Sequence, residues 1–208
     1  MAAEQGAASP PIEQNIIDHP TSTGLDSRKL AMWCFLASDC MFFGSLITTY
    51  LVSHNRAAVP PYPQGFFDIP FTSVSAFVLL MSSVAMVLAL SGIQKGDMRR
   101  FRIWIVSTAL LGLIFLGGQI YEFTEFHHEG LRLGTNLFGS AFYTLTGFHG
   151  AHVTVGVIWL FSLFYASFRA PLVSKEKALN VEIAGLYWHF VDIVWIIIFA
   201  VVYLIEPV

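Results

Sequence analysis

Long apolar runs separated by short polar segments dominate the pattern of this 208-residue chain. A helix needs about 20 apolar residues to cross roughly 30 Å of hydrocarbon. Five runs reach that length, at residues 30–51, 71–93, 103–123, within 137–168, and 183–205. We therefore predict an all-α polytopic membrane protein with five transmembrane helices. A polar tail at residues 1–27 would precede a single membrane domain at residues 28–208.

The composition agrees with a chain that is mostly embedded in lipid. Hydrophobic residues make up 55% of the sequence and charged residues only 12%, with a mean hydropathy of +0.65. Soluble domains usually have about twice that charged fraction. The formal net charge of -3 gives no sign of a basic surface that would bind nucleic acid, so we expect no nucleic-acid partner. Cys34 and Cys40 lie in one apolar run and form neither a disulfide framework nor a C-x-x-C pair.

Lysine and arginine are distributed unevenly between the two sets of connections. One side carries Arg28, Lys29, Lys95, Arg99, Arg100, Arg102, Arg169, Lys175 and Lys177. The other side carries only Arg56 and Arg132. Because cytoplasmic loops are enriched in these residues, we expect a cytoplasmic N-terminus and an external C-terminus. The tail has no apolar h-region of a cleavable signal peptide, and we expect it to be disordered or bound to a partner.

Several ionisable side chains fall within or at the edge of the apolar runs, where each costs about 2.5–3.5 kcal/mol near a helix centre. These candidate site residues are Asp39, Glu122, His149, His152, Glu182, His189 and Asp192. The helical rise places Asp39 and Asp192 about 14 Å from the cytoplasmic edge. His149 and His152 share one helix face, as do His189 and Asp192. We expect one polar cluster if the helices that carry them pack together.

The fourth run also has a face of small residues. Gly147, Gly150, Ala151 and Thr154 fall opposite the two histidines at helical spacing. Small residues allow membrane helices to approach one another closely. This face is therefore predicted to pack against another helix.

Three interpretations of the ionisable residues stay open at this point. In the first, the His–Asp pairs only hold helices to one another. Alternatively, Asp39, His149 and Asp192 line a path through an independent proton or ion transporter. A third interpretation has His149 facing His189 across a haem. The sequence contains no Walker loop, no G-x-S-x-G elbow and no H-E-x-x-H motif, so we expect no catalytic centre in this chain.

Four motifs appear in order along the runs. They are ASDCMFF at residues 37–43, a Q-x-x-E-x-x-E pattern formed by Gln119, Glu122 and Glu125, TGFHGAHV at residues 146–153, and GLYWHFVDIVW at residues 185–195. The similarity that they define runs from about Trp33 to the C-terminal end of the chain. In these motifs the sequence resembles subunit III of the haem–copper terminal oxidases.

This resemblance implies an accessory subunit of a bacterial oxidase that transfers electrons from cytochrome c or quinol to dioxygen and translocates protons. It implies no redox cofactor in this chain: haem and copper belong to partner subunits, chiefly subunit I, beside which subunit III packs. It further implies contacts with other oxidase subunits and membrane lipids in the bacterial inner (cytoplasmic) membrane. The seven candidate site residues would order helices, structural phospholipid and the surroundings of proton uptake.

The chain departs from the long members of that family in two respects. Those members have seven helices, and this sequence corresponds to the last five, so one wall of their lipid cleft has no counterpart here. The acid at Asp39 is Glu in many members. The motifs do not decide between cytochrome c and quinol as the electron donor.

Overall fold

Five long α-helices make up most of the structure, which is a computed structural model that describes residues 26–54, 68–169 and 178–204. They are α1 (Ser27–His54), α2 (Ile69–Gln94), α3 (Met98–His128), α4 (Leu137–Ala166) and α5 (Ala178–Phe199). A π-helical segment, Ala200–Leu204, continues α5. All five helices are long and apolar enough to cross a membrane. The predicted all-α class and five spans are confirmed, whereas residues 1–25 of the predicted tail lie outside the described residues.

Polar residues at the helix starts explain why the helices extend beyond the apolar runs. Asp68, Asp97 and Asn136 each accept a hydrogen bond from a backbone N–H in the first turn of α2, α3 and α4, respectively. These caps satisfy donors that the helix itself leaves unpaired. Gly96 has a φ of +79° directly after α2, a left-handed conformation that suits glycine and ends the helix. The chain therefore reverses within a few residues and places α2 antiparallel to α3.

The helices are arranged around α5. This helix packs against α1, α2 and α4, while α3 packs against both α2 and α4. The spanning part of α5 is 56% buried, compared with 11% for α1. Thus α5 is the central helix, and α1 is an edge helix held by α4 and α5.

The indole of Trp188 on α5 is the point at which three neighbouring helices meet. Gly112 of α3 and Gly156 of α4 lie against its ring: a Cβ atom added at either position would be 2.6 Å or 2.8 Å, respectively, from a ring carbon. The indole Nε1–H donates to Ser82 Oγ on α2 at 2.9 Å. Because the backbones of α3 and α4 approach the ring so closely, only glycine leaves room for it at positions 112 and 156.

This packing predicts the effect of a single methyl group. We expect Gly156→Ala to destabilise the subunit by about 1–3 kcal/mol, because overpacking a rigid ring forces neighbouring helices apart. The measurement is thermal unfolding of the purified protein in mild detergent. Gly44→Ala is the matched control, since an added Cβ there meets nothing within 4 Å. Equal unfolding temperatures for the two variants would contradict the packing described for Trp188.

Candidate functional site

The predicted site residues each make a different set of contacts in the bundle. The helices that carry six of the seven, α1, α4 and α5, do pack together, and α3, which carries Glu122, packs against α4. Their polar side chains nevertheless point to different neighbours. Each of these sets of contacts joins two or more helices.

Asp39 of α1 and His152 of α4 form a pair across the α1–α4 contact. The distance from His152 Nε2 to Asp39 Oδ2 is 3.6 Å, which is close enough for an ion pair and too long for a hydrogen bond. His152 Nδ1 lies 2.7 Å from the carbonyl oxygen of Phe148, an acceptor, so this nitrogen carries a proton. Nε2 is therefore the ring nitrogen that faces the carboxyl group. Asp39 is buried, as a carboxyl group in a membrane helix is when it has a partner.

His149 occupies an aromatic enclosure in the centre of the bundle. Its ring is fully buried and stacks on the indole of Trp195, with the ring centroids 4.9 Å apart. The rings of Phe43 and Phe115 approach it edge-on from α1 and α3. Among the described residues, none forms a hydrogen bond with either ring nitrogen. The hypothesis that His149 faces His189 receives no support from this arrangement, because the ring that faces His149 is an indole.

Asp192 of α5 is bonded to α2. Ser83 Oγ donates to Asp192 Oδ2 at 2.7 Å, and the second carboxyl oxygen is buried without a hydrogen-bond partner among the described residues. His189 lies one turn earlier on the same face and is half-buried. His189 and Asp192 therefore share one face of α5, as predicted. The carboxylate of Asp192 joins α5 to α2.

Glu122 connects α3 to two other elements near the opposite end of the bundle from Glu182. Thr72 of α2 donates to one carboxylate oxygen, and Tyr203 of the π-helical segment donates to the other at 3.3 Å. The carboxylate is buried, with 6% of the residue exposed. Glu122 therefore has a partner on each side, unlike a solvated boundary residue.

Glu182 forms an ion pair at the end of the bundle where α1 begins. Its Oε1 lies 2.5 Å from Lys29 Nζ, joining the N-terminal ends of α1 and α5. The guanidinium and the backbone N–H of Arg28 donate to the neighbouring Asp26. These hydrogen bonds lower the pKa of the Asp26 carboxyl group. The same end of the bundle thus carries both an interhelical ion pair and a local one.

Ser83, Thr72 and Tyr203 were not identified from the sequence, although they are the hydrogen-bond partners of two candidate carboxylates. Hydroxyl groups in apolar helices are the only signal that could have indicated them. That signal is weak, because most such hydroxyls bond to a carbonyl of their own helix, as Thr48 and Ser73 do here. Within the part of the chain that the structure describes, no group of three or more His, Cys, Asp or Glu side chains could hold a metal ion.

A groove on the surface adjoins the Asp39–His152 pair. It has a volume of about 540 Å³ and lies where α1, α4 and α5 meet. Its walls are mainly apolar and aromatic, and include Met32, Phe35, Val155 and Tyr187, with His152 at its inner side. An apolar chain matches these walls, and the pair supplies the polar contact next to them.

Comparisons with known proteins agree on one family. Residues 12–206 match the family model described as cytochrome c oxidase subunit III. Quinol oxidase subunit 3 of Bacillus spizizenii is 36% identical over 202 residues, which cover 97% of this chain and 96% of the relative. Cytochrome c oxidase subunit 3 of Bacillus sp. strain PS3 is 39% identical over 182 residues, or 88% of this chain and 87% of the relative. The similarly named Bacillus subtilis protein is 38% identical over 183 residues, covering 88% of each chain.

These matches extend over nearly the whole length of both chains in each pair. The length of the chain is therefore similar to that of relatives that carry either name. They also bear out the resemblance drawn from the four motifs. The chain belongs to the cytochrome c oxidase subunit III family.

Proposed function

We propose that this chain is the accessory, non-redox subunit III of a bacterial haem–copper respiratory oxidase. The oxidase would pass electrons from cytochrome c or quinol to dioxygen and translocate protons across the bacterial inner membrane. The observation that carries this proposal is the family match over residues 12–206. Relatives named for either donor are about equally similar, so the proposal covers both donors.

Haem and copper would be held by partner subunits, with subunit I as the main contact. The seven candidate site residues would then act within the bundle. The pairs of Glu122 with Thr72 and of Asp192 with Ser83 join helices across their contacts. Polar contacts between membrane helices contribute about 0.6 kcal/mol each on average, so several are needed to fix the arrangement.

A structural phospholipid is the ligand that best suits the groove beside His152. Acyl chains match its apolar walls, and tight lipid packing there would support the edge helix α1. Next to the groove, the Asp39–His152 pair would keep α1 in register with α4. In this proposal the subunit preserves the structure of its partner during proton uptake and turnover, and performs no redox step.

The orientation with a cytoplasmic N-terminus is part of the proposal. It rests on the uneven distribution of Lys and Arg. Lys29 bonds to Glu182, and Arg102 donates to the carbonyl of Ser167 at 2.5 Å, so basic side chains gather at one end of the bundle. An N-terminal epitope should resist protease in intact spheroplasts, and a C-terminal epitope should be cleaved. The reverse result would invert the orientation.

Purification of the tagged chain in mild detergent tests the subunit assignment. We expect haem absorbance bands in the reduced-minus-oxidised spectrum, and we expect them to leave with a larger partner when the partners are stripped. Bands that remain with this chain would make it a cytochrome. A chain that purifies without partners and conducts protons in liposomes would instead be an independent transporter.

The proposed role of Asp39 gives a separate prediction. Asp39→Ala should leave the haem content of the complex unchanged, because no cofactor contact is lost. Turnover should decay about threefold faster, the factor that corresponds to one average polar contact between membrane helices. The measurement is oxygen consumption during continuous turnover. Ser38→Ala is the matched control, since its hydroxyl bonds only to the carbonyl of Phe35 on the same helix. Identical decay in the two variants would refute the role assigned to Asp39.

A further inference from the structure

A second groove lies between α3 and α4, on a face of α4 other than the one that packs on α1. Its volume is about 490 Å³. Leu113, Gly117 and Ile120 line the α3 wall. Gly147, Gly150 and Thr154 line the α4 wall and include three of the four small residues singled out in the sequence. The small-residue face therefore borders an open groove.

The residues of each wall repeat at helical spacing. The α3 residues follow an i, i+4, i+7 pattern and the α4 residues an i, i+3, i+7 pattern, so each forms a straight row along its helix. A Cβ atom added at Gly117 or Gly147 would meet nothing within 4 Å. Both walls thus expose bare backbone to the groove, and no side chain of the described residues lies within 4 Å of a Cβ atom at these two glycines. Two such rows form a surface on which a third helix can pack, because small residues let helix backbones approach closely.

Gln119 provides an independent sign that the groove has an occupant. Only 7% of the residue is exposed, and its Nε2 donates to the Thr146 carbonyl at 2.7 Å. That bond fixes the amide, so Oε1 points the other way, over Gly150, where an added Cβ would lie 2.6 Å from it. No donor among the described residues bonds to Oε1. An amide oxygen in an apolar groove is unfavourable without a donor, so Gln119, which lines the groove, presents an acceptor to whatever fills it.

The surface of α2 has a different character. The outward face of α2 carries large side chains, including Val74, Phe77, Val84 and Val87, as suits contact with acyl chains. A lipid tail in the α3–α4 groove could cover Leu113 and Ile120, but it has no donor for Gln119. A helix with a hydroxyl or amide side chain satisfies both requirements.

We infer that the α3–α4 groove binds a transmembrane helix of another subunit of the same oxidase. That helix would present small residues to Gly117 and Gly147, and a Ser, Thr, Asn or Gln donor to Gln119 Oε1. This inference rests on the proposed function, since it requires the chain to be part of a multisubunit complex. The inference adds to the proposed function the surface through which this chain contacts one other subunit.

Filling the groove tests the inference. We expect Gly147→Leu to lower the amount of one subunit that co-purifies with the tagged chain at least about fivefold, because the helix can no longer approach. Gly117→Leu fills the groove from the other wall and should release the same subunit. Neither variant should change the unfolding temperature of the isolated chain. Gly44→Leu is the matched control on α1, also in open space, and should retain every subunit.

The outcomes separate this inference from the proposed function. Wild-type protein that brings down no oxidase subunit would refute the proposed function before any variant is compared. Wild-type assembly with full subunit retention in both Gly147→Leu and Gly117→Leu would overturn only the groove inference. Loss of phospholipid without loss of a subunit, measured by mass spectrometry, would overturn it in favour of an acyl chain. Loss of the same subunit from Gly44→Leu would show that the effect is not specific to the groove.

Discussion

The contact of the Trp188 indole with Gly112, Gly156 and Ser82 sets the geometry on which the rest of the bundle depends. Two glycines allow α3 and α4 to close on the ring, and one hydrogen bond attaches α2 to it. Because one side chain of α5 contacts three helices, the central position of α5 follows from this contact. The same approach of α5 and α2 brings Asp192 within reach of Ser83.

The low polarity of the membrane interior explains how the polar groups are distributed. A polar group in hydrocarbon needs a partner within the protein, since water is not available to it. Many hydroxyls therefore bond to a carbonyl of their own helix, whereas the carboxyl groups find partners on other helices. Among the described residues, the buried side-chain atoms without a hydrogen-bond partner are both ring nitrogens of His149, one carboxyl oxygen each of Asp39 and Asp192, and the indole nitrogen of Trp195. Cross-helix pairing favours a fastening role for these residues over a path for ions.

The helices could be predicted from the sequence, but the partners of the polar residues could not. Apolar runs of membrane-spanning length are unambiguous, and the i,i+3 spacing of His189 and Asp192 correctly placed them on one face. A membrane helix is apolar both where it meets lipid and where it meets protein, so its hydropathy pattern does not fix its rotation. Without the rotation, nothing indicated that Asp192 would meet Ser83, or that His149 would face Trp195. The expectation of a single cluster therefore named neither of these partners.

We propose that the intramembrane polar residues hold the bundle together and bind no redox cofactor. A density map of the purified complex, obtained by electron cryomicroscopy, tests it most directly. We expect the ring of His149 to lie against Trp195, and haem and copper density only in neighbouring chains. Haem iron liganded by His149 or His189 would contradict the account.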